Sequence, residues 1–139
     1  MNLLCIHPKY LDKHSLISFW QQGLKAQEML QEVSVAENNP RLGAFREKEN
    51  PLRAIGAYLS MLASEGCRQG VKLNHERILF PNFDEEIIPV KAEHVVFDAN
   101  FLKEKLRKRD KNKFQILDKA EYVELNPVFG LAAETKFSN

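Results

Sequence analysis

The sequence predicts an all-α fold, and three observations carry that prediction. Apolar residues recur every three or four positions along several long segments, so each segment would give a helix one core-facing stripe. Two Asn-Pro pairs, Asn39-Pro40 and Asn50-Pro51, stand where helices would start, with an N-cap followed by proline at the first helical position. No convincing run of alternating apolar and polar residues argues for strands. At 139 residues the expectation is a single compact domain spanning 1–139, helical with long loops.

An apolar stretch begins at Met1 and continues through Leu3, Leu4, Cys5 and Ile6, so the terminal amine is expected to lie against the fold. His7-Pro8 interrupts it, because the residue before a proline avoids the helical region. Asp12 then caps a helix whose inner stripe is Leu16, Phe19, Trp20, Gly23, Leu24, Gln27 and Leu30. A glycine inside a helix costs roughly 1 kcal/mol relative to alanine, which implies that another backbone passes close to Gly23. Gln22 falls in a column with Ser15 and Ala26 at the edge of the stripe, whereas Lys25 points nearer to solvent. A half-buried functional group would sit at that edge.

A short helix is expected from Pro40, with Leu42 and Phe45 inward. Pro51 opens a longer one that places Leu52, Ile55, Gly56, Leu59, Leu62, Ala63 and Gly66 on one face and ends at Gly70. From Val71 to Lys91 the helical period disappears, and Phe80-Pro81-Asn82-Phe83 and Ile88-Pro89-Val90 mark a surface loop with its aromatics tucked in. A fourth helix runs from about Ala92 to Lys108, with His94, Phe97, Phe101, Leu102 and Leu106 as its inner face. Beyond Phe114 only a turn at Asn126-Pro127-Val128-Phe129 stands out.

Composition excludes more than it selects. The chain is 44% hydrophobic and 28% charged, as in an ordinary globular protein. Twenty basic residues against nineteen acidic ones give no overall attraction to a polyanion, so charge distribution must decide. Met1–Ile6 is too short for a signal peptide and no apolar run approaches ~20 residues, which points to the cytoplasm and away from a membrane. Cys5 and Cys67 lack metal-ligand spacing and read as reduced, half-buried packing residues. His14, His75 and His94 have no metal-like spacing either, so no metal or cofactor is expected.

The order of these elements and several local strings resemble the pyrimidine-dimer DNA glycosylase family, the endonuclease V type. The strings are Leu4-Cys5-Ile6-His7-Pro8-Lys9-Tyr10-Leu11-Asp12, Trp20-Gln21-Gln22-Gly23-Leu24-Lys25-Ala26-Gln27 and Pro40-Arg41-Leu42 with Phe45. Asn50-Pro51-Leu52-Arg53-Ala54-Ile55-Gly56-Ala57-Tyr58-Leu59, Lys105-Leu106-Arg107-Lys108-Arg109-Asp110 and Asn126-Pro127-Val128-Phe129 complete them. The resemblance implies an endonuclease V-like helical fold acting on duplex DNA. It further implies an α-amine nucleophile that forms a Schiff base with the sugar, assisted by a carboxylate early in the first helix. An α-amine, with a reference pKa of ~7.7–8.0, is far more often neutral near pH 7 than a lysine.

Residue by residue, the resemblance assigns the amine to Met1 and the carboxylate position to Gln22. An amide holds no negative charge and takes no proton at neutral pH. The family's usual arginine beside the amine is Asn2 here, and its Arg-Glu pair after the helix tryptophan is Gln21-Gln22. Where the family carries Glu-Trp-x-His on the fourth helix, this chain reads Asp98-Ala99-Asn100-Phe101. The departures fall on polar site positions while the apolar strings survive, implying weak, altered or lost catalysis.

Other candidates remain open between two readings. The run Lys103 to Lys113, including Lys105, Lys108 and Arg109, reads equally as a phosphate-contacting stripe or as a solvated helix end. Lys9 and Lys25 join it if the amine side faces DNA. His7 reads as a sugar or phosphate contact, or as a structural residue of the His-Pro turn. The competing class is a helical protein-interaction or regulatory module without nucleic acid, which the near-neutral charge would suit.

Overall fold

The computed structural model describes residues 3–31, 45, 51–81 and 88–132. Most of these lie in α1 (Lys13–Leu30), α2 (Pro51–Gln69), α3 (Ala92–Arg109) and α4 (Lys111–Lys119). Short 3-10 turns occur at Pro8–Tyr10 and His75–Arg77, and two strands, β1 (Ile88–Val90) and β2 (Phe129–Leu131), pair in parallel. The fold is mainly α, and the strands are three residues each, too short to show alternation in a sequence. Among the described residues no helix is long and apolar enough to cross a membrane.

Asp12 caps α1 as its sequence position requires, its carboxylate accepting the Ser15 N–H at 3.0 Å. All seven expected stripe residues are buried. The stripe packs against α2, where Ile55, Gly56, Leu59, Leu62, Ala63 and Gly66 are buried in turn. At Gly23 a Cβ would approach Leu59 Cδ2 to 2.5 Å, so a side chain, rather than the expected backbone, occupies the space. The backbone approach occurs instead at Gly56, where a Cβ would overlap the Phe80 carbonyl. Gly70 ends α2 with φ +78°, and the Val71 N–H reaches back to the Gly66 carbonyl at 2.7 Å.

Two polar side chains, making three hydrogen bonds, hold the segment 77–81 across α1 and α2. Buried Gln27 donates to the Arg77 carbonyl at 2.9 Å and accepts the Leu79 N–H at 3.0 Å. The Ser60 hydroxyl donates to the Pro81 carbonyl at 2.8 Å. Because the backbone of Phe80 is pressed onto Gly56, its ring is turned out and exposed, contrary to the expectation of a tucked aromatic. Phe83 lies outside the described residues. So do Asn38–Pro40 and Leu42, although Phe45 is buried and meets the Phe129 ring edge-on at 5.9 Å.

Two further corrections concern the second half. The inner face of α3 is Asp98, Ala99, Leu102 and Leu106, while His94 and Phe97 are exposed and Phe101 is partly so. Asp98 sets that register by accepting the Cys5 N–H at 3.1 Å, which draws a charged residue inward and turns Phe97 out. Helix α4 lies beyond the last helix that the sequence predicts. Asp110, extended at φ −153°, stops α3 and caps α4 by accepting the Lys113 N–H at 3.0 Å.

The amino-terminal segment is stitched to the far end of the chain. His7 N–H donates to Glu124 O and Asn126 N–H to Cys5 O, both at 2.9 Å. Asn126 is fully buried, accepting the Val128 N–H and donating to the Tyr58 carbonyl. The expected Asn126-Pro127 turn is therefore a structural anchor.

Candidate functional site

A cleft of about 210 Å³ opens between α1 and α3. His14, Ser15, Ser18, Phe19 and Gln22 line it from α1; Phe101, Lys105 and Arg109 line it from α3. Gln22 is half-buried at the stripe edge, as its wheel position implies, and its amide donates to the Ser18 hydroxyl at 3.4 Å. The Lys105 ammonium lies 5.3 Å from the Phe101 ring centroid, a cation–π distance. Among the described residues that line the cleft there is no carboxylate. An anion entering it would meet cations, hydroxyls and an amide.

Arg109 has a different task from Lys105. Its guanidinium donates to His14 Nδ1 at 2.9 Å and to Ser15 Oγ at 2.8 Å, and pairs with Asp12 at 3.1 Å. It fastens the end of α3 to the start of α1, and Asp12 already balances its charge. Lys108 is exposed and does not line the cleft. Of the basic run, Lys105 is thus the cation best placed for a ligand there.

The remaining predicted site residues lie elsewhere. Gln21 and Lys25 line a separate depression of about 360 Å³ with Gln31, Arg77 and Leu79, where Lys25 pairs with Glu28 at 3.5 Å. Lys9 is ion-paired with Glu124, and its carbonyl accepts from Lys113 Nζ at 2.6 Å. His7 caps the Pro8–Tyr10 turn, its Nδ1 accepting the Lys9 N–H at 3.0 Å. Burial holds its pKa below the ordinary 6.5 against the opposing pull of Glu124, which keeps the ring neutral near pH 7. That geometry favours the structural reading of His7. Met1 and Asn2 lie outside the described residues.

Sequence spacing missed one cluster. The candidate ligand atoms of Cys5, His94 and Asp98 lie within 4.8 Å of one another. Ninety-three residues separate Cys5 from Asp98, so no local motif could announce it. Both cysteines are free thiols, but Cys5 is fully buried and Cys67 exposed, rather than both half-buried. Burial first, and then the Asp98 charge and hydrogen bond, push the Cys5 thiol well above the usual range. The buried Tyr58 hydroxyl is pushed up by the same two causes, burial and the Asp98 charge.

The geometry defines a mainly helical protein with a cationic cleft between α1 and α3 that has no carboxylate among the described residues lining it. A family model described as pyrimidine dimer DNA glycosylase matches residues 1–79, more than half of the chain, and the chain belongs to that family. No curated protein and no solved structure matches it. The matched span holds α1, α2 and Gln22, whereas Lys105 and Phe101 lie beyond it.

Proposed function

We propose that this protein is a cytoplasmic, single-domain DNA-binding member of the base-excision repair family. Duplex DNA, damaged or distorted, docks where α1 and α3 meet, and glycosylase and lyase activity is weak or lost. The observation that carries the reading is the cleft lining, which sets the Lys105 cation opposite half-buried Gln22, the residue to which the resemblance assigns the family carboxylate position. A carboxylate there would stabilise a cationic sugar and move protons during imine formation and elimination. The Gln22 amide does neither. Family membership supplies the substrate class, and the Met1 amine, flanked by Asn2, is the nucleophile of any residual activity.

The exposed line of α3 supports the same face. Phe97, Phe101 and Lys105 follow one another at four-residue spacing, and Phe97 is 67% exposed. An exposed ring on the same helix line as a cation two turns away suits stacking on an unpaired base while the cation contacts a phosphate further along the strand. Lys108 extends the line toward neighbouring phosphates, with Lys25 and Gln21 on the flanking surface of α1.

Fluorescence anisotropy with duplexes carrying an abasic site, across a salt series, tests the proposal. The logarithm of affinity should fall linearly with the logarithm of salt, and Lys105→Ala should reduce that slope by about one. Absence of binding at low salt would sink the reading. It would favour a protein-interaction module, for which exposed Val96 and Phe97 would be the contact face.

A further inference from the structure

We infer that Cys5, His94 and Asp98 form a binding site for one divalent transition-metal ion of the Zn²⁺ class. His94 and Asp98 stand one turn apart on α3, so both side chains project from the same face, and Cys5 reaches them from the amino-terminal segment. His94 Nε2 is already 3.3 Å from Asp98 Oδ2. Around a tetrahedral ion with bonds of ~2.0–2.3 Å, ligand atoms sit roughly 3.3–3.8 Å apart. With all three atoms within 4.8 Å, closure needs a shift of about 1 Å.

The parts of the site differ in rigidity. Cys5 and Asp98 are buried and fixed to each other by the Cys5 N–H bond to Asp98. His94, with its side chain 55% exposed, is the movable outer ligand. A cleft of about 440 Å³ lined by Lys91, Glu93, His94, Phe97 and Asp98 gives an ion a path from solvent. It also leaves room for a fourth ligand, either water or the Glu93 carboxylate. One sulfur, one imidazole nitrogen and one carboxylate oxygen suit a borderline ion; Mg²⁺ and Ca²⁺ take oxygen ligands. Binding converts the thiol to a metal thiolate and releases its proton to water. The ion would tie the amino-terminal segment to α3.

Cobalt(II) titration of the reduced, metal-stripped chain tests the site. One equivalent should bind, giving a thiolate-to-cobalt charge-transfer band and the intense visible bands of tetrahedral coordination, both abolished by one equivalent of Zn²⁺. Loss of supporting residues alone costs metal sites about 10- to 100-fold in affinity, so His94→Ala should weaken binding by at least about 100-fold. Because His94 is exposed, that variant keeps the fold, as circular dichroism would verify. Cys5→Ser should remove the charge-transfer band, and Cys67→Ser should leave the titration unchanged. No charge-transfer band in the unaltered chain overturns the site. Binding that survives His94→Ala intact, or that disappears in Cys67→Ser, assigns the metal elsewhere and overturns it equally.

Discussion

Gln22 differs from a glutamate by one terminal atom, and the cleft makes that atom consequential. A carboxylate at this position would face Lys105 across the cleft and accept from the Ser18 hydroxyl, an arrangement that favours its ionised form. Gln22→Glu should therefore raise the borohydride-trapped yield on abasic DNA by about 100-fold, the lower range of a positioned acid–base group. An unchanged yield would mean that the loss extends beyond position 22, with Asn2 the first suspect. The half-burial of Gln22 was legible because a helical wheel needs only periodicity. Lys105 was legible merely as one cation in a dense run. What separates it from Arg109 is a tertiary contact, the Asp12–Ser15–His14 clamp, which no local pattern encodes.

Elements pack here through glycines of unequal strictness. At Gly56 a side chain would collide with the Phe80 carbonyl, a backbone atom held by the Gln27 and Ser60 bonds on either side. At Gly23 the obstacle is the flexible end of Leu59, which can rotate away. Gly56→Ala should lower unfolding free energy by about 1–2 kcal/mol, an overpacking cost of a few kcal/mol less the ~1 kcal/mol propensity gain. Gly23→Ala should cost less than that. Urea midpoints of the two variants decide the point, and a Gly56→Ala chain as stable as its parent would refute the close approach. Stripes on α1 and α2 were readable because their buried faces are almost wholly apolar. The α3 register was not, since its inward residue is Asp98, whose reason for burial is Cys5 at the other end of the chain. Lysine-rich α4 buries only Leu117, so its period is faint, and Asp110 in cap position is the one local signal.

Across the whole molecule, Glu65 joins the family-matched half to the remainder. It is 4% exposed on α2, accepting Arg68 Nε and Nη2 at 3.0 Å each and Gln69 Nε2 at 2.8 Å, with Lys113 Nζ at 4.0 Å. Gln69 also donates to the Leu11 carbonyl, and Lys113 to the Lys9 carbonyl, so one carboxylate connects α2, the segment before α1, and α4. Burial by itself would raise the Glu65 pKa, but the Arg68 and Gln69 hydrogen bonds and the Arg68 and Lys113 charges outweigh it, leaving it below 4.5. A depressed carboxylate contributes stability that is fully present above its unfolded value and lost as pH falls through the folded one. This loss should appear below about pH 4.5. His7, also depressed but from 6.5, loses its contribution at higher pH, because the unfolded chain takes up that proton first. Stability measured by urea unfolding should thus fall in two limbs as the solution is acidified. Glu65→Gln should lower stability at pH 7 and flatten only the lower limb, whereas His7→Gln should flatten only the upper one. Glu124 is also depressed by Lys9 but is exposed, so added salt screens its share and isolates that of Glu65. A Glu65→Gln chain whose acid limb parallels the parent's in high salt would show that the buried carboxylate does not link the two halves.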